Sequence, residues 1–480
     1  MDLLLPLPAG LPLALVSFPT QTPRVSTDQF DTVVVGGGSA GYAAARTLVA
    51  GGHRIAVLDG GDEVGGLCIL RGCMPTKALL HAAELRHAIA AGGTWGITTG
   101  PVTVDLDRLM ARKDELIRDF AGYRRQQLEH GKWEFLRAKA RFIGPHELEL
   151  DTGRRLQTRH VVLATGSELA PPPVPGLESI GYLTSDSALR LRRLPASIVV
   201  LGGGAVALEF AQFFARLGSR VTLVQRGTQL LRECDEDVAG ELAGALMDEG
   251  LEVLTGATLK RAEAAGSLKR LWIDRNGTEQ ALESEEIFHG LGRRAAVSTL
   301  GLDSAGVALT GAGKIRIDHQ QRTSASHIYA AGDCCGPKDI VHLAIQQGEI
   351  AARNILGQAA TRDDRLSMSV VFTDPAVAVV GHTERSAREA GLDVRVAAYP
   401  FNDHGKSMIL GCRRGFVKLL AARSGGEIVG GACVGPQAGE LIHEIVVAMD
   451  RRMTAAQLAA VPHYHPTLAE IWTYPAEELA

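Results

Sequence analysis

The chain has 480 residues, with 50 Lys and Arg against 54 Asp and Glu and a net charge of −4. Both signs are mixed along it, which excludes the concentrated basic field of a nucleic-acid-binding surface. A length suited to about three domains, 46% hydrophobic residues and 55 glycines with only 5% aromatics point to an α/β fold with tight strand-to-helix turns.

Residues 1–29 open with an apolar run, Leu3 to Val16, but Pro6, Pro8 and Pro12 break any helix there. The basic start of a signal peptide is missing, since Asp2 is the only early charge. This segment is expected to be a disordered extension, and the protein cytoplasmic. No later run reaches the length of a membrane span.

Phe30 to Val35 reads as a strand, followed by Gly36-Gly37-Gly38-Ser39-Ala40-Gly41 and an Ala-rich helical stretch to Val49. Arg54 to Leu58 is the next strand and ends at Asp59. This is a βαβ dinucleotide-binding unit. Gly36 permits the tight turn, Gly38 lets the backbone approach a pyrophosphate, and Gly41 lets helix pack on strand. The helix start then offers free N–H groups to phosphates. Asp59, 23 residues after Gly36, is placed to accept hydrogen bonds from ribose hydroxyls.

Seven cysteines, at 68, 73, 234, 334, 335, 412 and 433, are too few and too scattered for a secreted disulfide framework. Only Cys68 and Cys73 have a spacing that suggests chemistry; the vicinal pair Cys334–Cys335 carries no assigned role. Residues five apart on a straight helix lie about 8–9 Å apart at Cα, beyond the roughly 7 Å reach of a disulfide. The pair can therefore meet only on a bent helix entry. Gly72 supplies the bend, Pro75 suits a first turn, and a helical pattern runs from about Thr76 to Ala91. Cys73 then sits near a helix N-terminus, where thiolate is favoured.

Val161 to Leu163 is a strand that runs into Ala164-Thr165-Gly166, and Pro171-Pro172-Pro173 with Pro175-Gly176 reads as a linker. The βαβ pattern then returns. Ser197 to Leu201 leads into Gly202-Gly203-Gly204-Ala205-Val206-Ala207, a helix through Arg216 and a strand from Arg220 to Val224. Gly202, Gly204 and Ala207 repeat the three glycine roles. The residue 23 after Gly202 is Gln225, not an acid; Arg226 follows and Arg232 lies six further on. An acid would repel a 2′-phosphate, whereas Arg binds it. The second unit is therefore expected to prefer NADPH over NADH. Ile328 to Ala331 is a later strand leading to Gly332-Asp333, and from Met368 onward short strands alternate with helices in an α+β pattern. Near the end, His465 sits between Pro462 and Pro466 with Glu470 five residues on. Imidazole suits a proton donor for a thiol leaving group near neutral pH, and a carboxylate would orient it.

The string Gly65 to Lys77 resembles the redox-disulfide motif of the class I pyridine nucleotide–disulfide oxidoreductases, the family of lipoamide dehydrogenase, glutathione reductase and mercuric reductase. The Ala164–Gly166 turn, Asp333, Phe372-Thr373-Asp374-Pro375 and His465-Pro466-Thr467 follow in the family's order, so the resemblance spans the chain from Phe30 on. It implies two Rossmann-like dinucleotide-binding domains plus an α+β dimerisation domain. FAD would take 30–170 and 300–365, NAD(P) 171–299, and the interface 366–480. It further implies a redox-active Cys68–Cys73 disulfide, with Cys68 facing substrate and Cys73 facing the flavin. Lys77 would lie near the flavin and pair with Glu209. Thr165, Gly166 and Asp333 would join the FAD site, Gly292 the nucleotide sites. His465 and Glu470 would serve the partner subunit of a homodimer, with His463 the lesser candidate.

The implied reaction passes electrons from NADPH through FAD to a small disulfide acceptor, with no metal, nucleic acid or membrane involved. Some positions depart from the pattern. Leu67 and Leu70 stand where disulfide-reducing members usually have Thr and Asn, Arg71 follows, and Ala205 replaces the Tyr gate of glutathione reductase. The chain ends Glu477-Glu478-Leu479-Ala480, without the C-terminal cysteine pair of mercuric reductase. The rival readings are a dihydrolipoamide dehydrogenase using NAD and a flavin-dependent metal-ion or quinone reductase.

Overall fold

Continuous apolar runs become central parallel strands, as expected where both sheet faces are covered. In the computed structural model, which describes residues 27–480, strands Ile55–Leu58 and Ser197–Leu201 are buried at every position. The first sheet has parallel strands in the order Glu134–Leu136, Ile55–Leu58, Thr27–Val35, Arg155–Leu163, Ile328–Ala330. An antiparallel hairpin, Ala140–Gly144 and Glu147–Leu150, extends it along the other half of Arg155–Leu163. The strand from 328 returns to this sheet after the whole second unit.

The first strand begins at Thr27, so the expected extension over 1–29 is corrected at its end. Thr27, Asp28 and Gln29 pair in register with Arg155, Leu156 and Gln157, and Arg154 ion-pairs Asp28 at 2.6 Å. Backbone pairing along a nine-residue neighbour orders these polar residues without apolar side chains. The rest of that expectation, 1–26, lies outside the described residues.

The second unit is a parallel sheet ordered Glu252–Leu254, Arg220–Val224, Ser197–Leu201, Glu286–His289, with a three-stranded antiparallel sheet (Ala257–Ala265, Leu268–Arg275, Thr278–Ser284) beside it. The third region is a five-stranded antiparallel sheet, Met368–Val371, Ala376–Gly381, Ile428–Gly435, Phe416–Ala422, Val394–Pro400, covered by helix Ala438–Asp450. This is the expected α/β architecture of two dinucleotide units plus an α+β region. Among the described residues no helix is long and apolar enough to cross a membrane.

Charged side chains tie the second unit to the third region. Arg216 on helix Ala205–Leu217 binds Glu249 at 2.6 Å and Asp374 at 2.7 Å. Lys418, 1% exposed, sits among Asp235, Asp237 and Glu384 at 3.1, 2.8 and 2.8 Å. Removing its ammonium leaves three carboxylates facing one another. Lys418→Met is expected to lower unfolding stability by about 3 kcal/mol, read as an earlier denaturant midpoint. A midpoint unchanged from wild type contradicts this.

Candidate active site

The two cysteines meet because one helix stops and another starts between them. Helix Leu67–Leu70 ends at Arg71, and helix Cys73–Ala90 begins directly after Gly72. A Cβ on Gly72 would fall 3.0 Å from the Leu67 carbonyl oxygen and 3.1 Å from the Cys68 Cα, so a side chain here would be crowded where the chain folds back. The helix starts three residues before the expected Thr76, because Pro75 is accommodated in its first turn. Cys73 is thus its first residue.

Both cysteines are free thiols, half-buried. A hydrogen bond from the Cys68 thiol, aided by the Lys77 charge and opposed by burial, lowers Cys73 to about 7. The same bond, then burial, pushes Cys68 well above the ordinary thiol range. In the reduced pair these opposite shifts favour thiolate at Cys73 and thiol at Cys68.

Lys77, one turn beyond Cys73, donates to both Glu209 oxygens at 3.0 and 2.8 Å. Glu209 is buried on the helix of the second unit. It also accepts from the Phe372 backbone N–H at 3.0 Å, and the Lys77 ammonium lies 4.5 Å from the centre of the Phe372 ring. One carboxylate thus joins the cysteine helix, the second unit and the third region. Arg71 leans toward Asp186, at 3.6 Å.

The two glycine strings build matching cradles. Gly36 has φ 115°, and a Cβ there would fall 2.2 Å from the Ala164 carbonyl oxygen; Gly202 has φ 113°, with the Gly290 carbonyl oxygen at 2.5 Å. Gly38 and Gly204 each precede a helix, Ser39–Ala50 and Ala205–Leu217, with no side-chain cap, which leaves the first N–H groups for a ligand. Gly41 packs on the Gly36 carbonyl, and buried Ala207 packs on Gly290. The Asp59 carboxylate lies over Gly37, a built Cβ meeting Oδ2 at 2.6 Å; the Gln225 amide lies over Gly203 in the same way, at 2.9 Å. Gln225 therefore occupies in the second cradle the place of the acid in the first.

The first cradle fits FAD. Thr165 Oγ1 is buried there with no hydrogen-bond partner among the described residues, an orphan that a ligand hydroxyl or phosphate would satisfy. Burial raises the pKa of Asp59 and of Asp333, a mark of sites that wait for hydrogen-bond donors. Ser167 donates to Asp333 at 2.7 Å and accepts from Arg293 Nε at 2.9 Å. Gly166 has φ 71° and accepts from the Ala296 N–H at 3.0 Å. Gly292, φ 114°, meets nothing within 4 Å and sets the turn before Arg293; the closely packed glycine of that turn is Gly290.

At the second cradle, Arg226 is exposed beside Gln225. Arg232 is 82% exposed and paired with its neighbour Glu233 at 3.0 Å. The two arginines are not brought into contact with each other by any hydrogen bond among the described residues.

The Glu470 carboxylate accepts from His465 Nδ1 at 3.1 and 3.0 Å. Glu470 is 10% exposed and His465 76% exposed, so the imidazole Nε2 edge faces outward from this chain. His463 instead turns inward, onto Glu444 at 2.6 Å and the Val461 carbonyl at 2.8 Å. One residue escaped the sequence reading altogether: His404, fully buried, also binds Glu470, at 3.1 Å. Its only local signal is Ser407 three residues on, and nothing in the sequence links it to a carboxylate 66 residues away.

Residues 30–348 match the family model described as pyridine nucleotide-disulphide oxidoreductase, and residues 367–476 match its dimerisation domain. A dihydrolipoyl dehydrogenase of Thermus scotoductus is 37% identical over 455 residues, 94% of this chain and 97% of that one. A mercuric reductase of Bacillus cereus is 31% identical over 447 residues, 92% of this chain and 70% of that one. The Cu(II) complex of the HOCl-induced flavoprotein disulfide reductase RclA from Escherichia coli has a TM-score of 0.83 at 25% identity, covering 95% of this chain and 100% of that chain.

Proposed function

The chain belongs to the pyridine nucleotide–disulphide oxidoreductase family, and from that premise we propose that it works as a homodimer that reduces a small disulfide with electrons from NADPH, through Cys68 and Cys73. The observation that carries this reading is the pair of half-buried thiols, Cys68 and Cys73, set on either side of the helix break at Gly72 and beside the Lys77–Glu209 ion pair. Bound FAD supplies a two-electron relay between nicotinamide and cysteine sulfur. The first cradle would hold it through Gly36, Gly38, Gly41, Asp59, Thr165, Gly166 and Asp333, with Lys77 beside it. The second would hold the nicotinamide cofactor through Gly202, Gly204, Ala207 and the turn at Gly292.

The thiol chemistry follows from where the proton sits. Cys68 is protonated in the reduced pair, so it needs a base before it can attack. The partner subunit's His465 takes that proton, and the Cys68 thiolate attacks one sulfur of the substrate, breaking its S–S bond. The released thiolate receives the proton back from the imidazolium. The Cys73 thiolate then attacks the Cys68 sulfur, which expels the second substrate thiolate, to be protonated from solvent, and closes the Cys68–Cys73 disulfide. The substrate gains two electrons and the cysteine pair loses two. Glu470 holds the imidazole by Nδ1 and stabilises its charged form.

An oxidation screen tests the acceptor: NADPH consumption with oxidised glutathione, lipoamide, a quinone and Hg(II), each repeated with Cys68→Ser. Activity with a disulfide that vanishes in the variant supports the reading. Turnover of a quinone or metal ion alone, unaffected by the substitution, overturns it. The donor is tested separately. Arg226 is exposed next to Gln225, which suits a 2′-phosphate contact. Arg226→Ala is expected to weaken NADPH binding by roughly 10- to 100-fold, one charge-assisted hydrogen bond, and to leave NADH binding unchanged. An unaltered preference excludes Arg226 as the selector, and a wild-type enzyme that binds NADH more tightly than NADPH returns the choice to NAD, the donor of the second reading.

A further inference from the structure

Four side chains form a hydrogen-bond chain whose two arms, Ser407–His404 and His465, converge on the Glu470 carboxylate. Ser407 Oγ lies 2.7 Å from His404 Nδ1, His404 Nε2 lies 3.1 Å from Glu470 Oε1, and Glu470 receives His465 Nδ1. Ser407 and His404 are both fully buried. We propose that His404, anchored by Ser407, is a positioning residue that shares Glu470 with His465 and thereby sets the basicity of His465. This rests on the reading of His465 as the acid–base group of the thiol step.

The donors and acceptors match in one protonation pattern. An ionised Glu470 only accepts, so His404 must present Nε2–H to it. A neutral ring then has a bare Nδ1 that must accept, and the Ser407 hydroxyl donates to it. Burial also pushes the pKa of His404 down, against the opposing pull of Glu470. The groups around His404 are Glu470 and His465 from the C-terminal loop and Tyr474 of the terminal helix, whose ring stands edge-on at 6.1 Å. Its sequence neighbour Asp403 is taken by the Tyr399 hydroxyl, and Lys406 on its own short helix is half-exposed. His404 is therefore held as the neutral ring of this cluster.

A carboxylate with two imidazole donors divides its charge between them. With His404 as a neutral second donor, Glu470 stabilises imidazolium at His465 less than it would alone. His404 also satisfies a carboxylate that is 10% exposed, which fixes where His465 points.

His404→Leu removes the donor while keeping the site apolar and filled. The limb of the pH–rate profile that belongs to His465 is expected to move up by ~0.5–1 pH unit, the worth of one hydrogen bond. His404→Gln restores an N–H donor and is expected to return the limb toward wild type. Reduction of the bound flavin by NADPH serves as the folding control and stays at the wild-type rate. A limb that stays in place, or moves down, in His404→Leu overturns the proposal. If the limb survives His465→Gln, the acid–base reading itself has failed, a different outcome. Should His404→Leu not fold, NMR of 13C-labelled histidines in the wild-type holoenzyme decides. His404 is expected to remain neutral between about pH 5.5 and 8 while His465 titrates, and titration of His404 in that range overturns the proposal.

Discussion

Replacing Cys68 with Ser is expected to lower disulfide turnover by at least ~10⁴-fold, because a serine hydroxyl is a far weaker nucleophile toward sulfur and cannot close a disulfide with Cys73. The same variant keeps both glycine cradles and the Lys77–Glu209 pair, so NADPH still reduces its bound flavin. Stopped-flow flavin absorbance and steady-state NADPH consumption separate the two. A variant that turns over disulfides at more than a tenth of the wild-type rate removes Cys68 from the route. The distribution of protons also predicts a pH signature in wild type. Cys73 is held at about 7 by the Cys68 hydrogen bond, below its ordinary value. Its thiolate is present above that pH and lost as pH falls through it, and alkylation of the reduced enzyme is expected to follow.

His465→Gln carries the second large effect. In the proposed mechanism it removes the group that takes the Cys68 proton and returns it to the leaving thiolate, with Glu470 left in place. Turnover is expected to fall by about 10²–10⁴-fold, the usual worth of a positioned acid–base group, with kcat affected more than KM. Reduction of the cysteine pair by NADPH is a separate half-reaction and stays near wild type. A fall of less than threefold shows that solvent or another residue carries the proton. His463 is a poor substitute, since its ring is turned onto Glu444 and the Val461 carbonyl.

Much of the fold was legible because it is steric. The turn at Gly36 demands a residue without a side chain beneath the Ala164 carbonyl, and Gly202 meets the same demand beneath Gly290; such demands print glycine into the sequence at fixed offsets. Counting 23 residues from each found Asp59 and Gln225, and both lie over their glycine strings. The bend between Cys68 and Cys73 followed from helix geometry alone. Contacts between distant segments were not readable in this way. Lys77 and Glu209 are 132 residues apart, and only the family resemblance paired them. His404 and Ser407 had no such guide, so the second donor to Glu470 went unseen. The start of the first strand was missed for a different reason: Thr27 to Gln29 have polar side chains, but their order comes from the backbone of Arg155–Leu163. Sequence spacing also set Arg232 beside Arg226 as a phosphate ligand; its guanidinium is 82% exposed and lies 3.0 Å from Glu233, so Arg226, which has no such neighbour pair among the described residues, carries the sharper test.

The central claim is that Cys68 and Cys73 store an electron pair in addition to that held by the flavin. An anaerobic titration of the oxidised holoenzyme with NADPH measures this directly, with Cys68→Ser alongside. Wild type is expected to take up twice as many electrons per FAD as the variant, with the loss of one disulfide and the gain of two titratable thiols. Equal uptake by the two proteins, with no new thiols in wild type, contradicts the account.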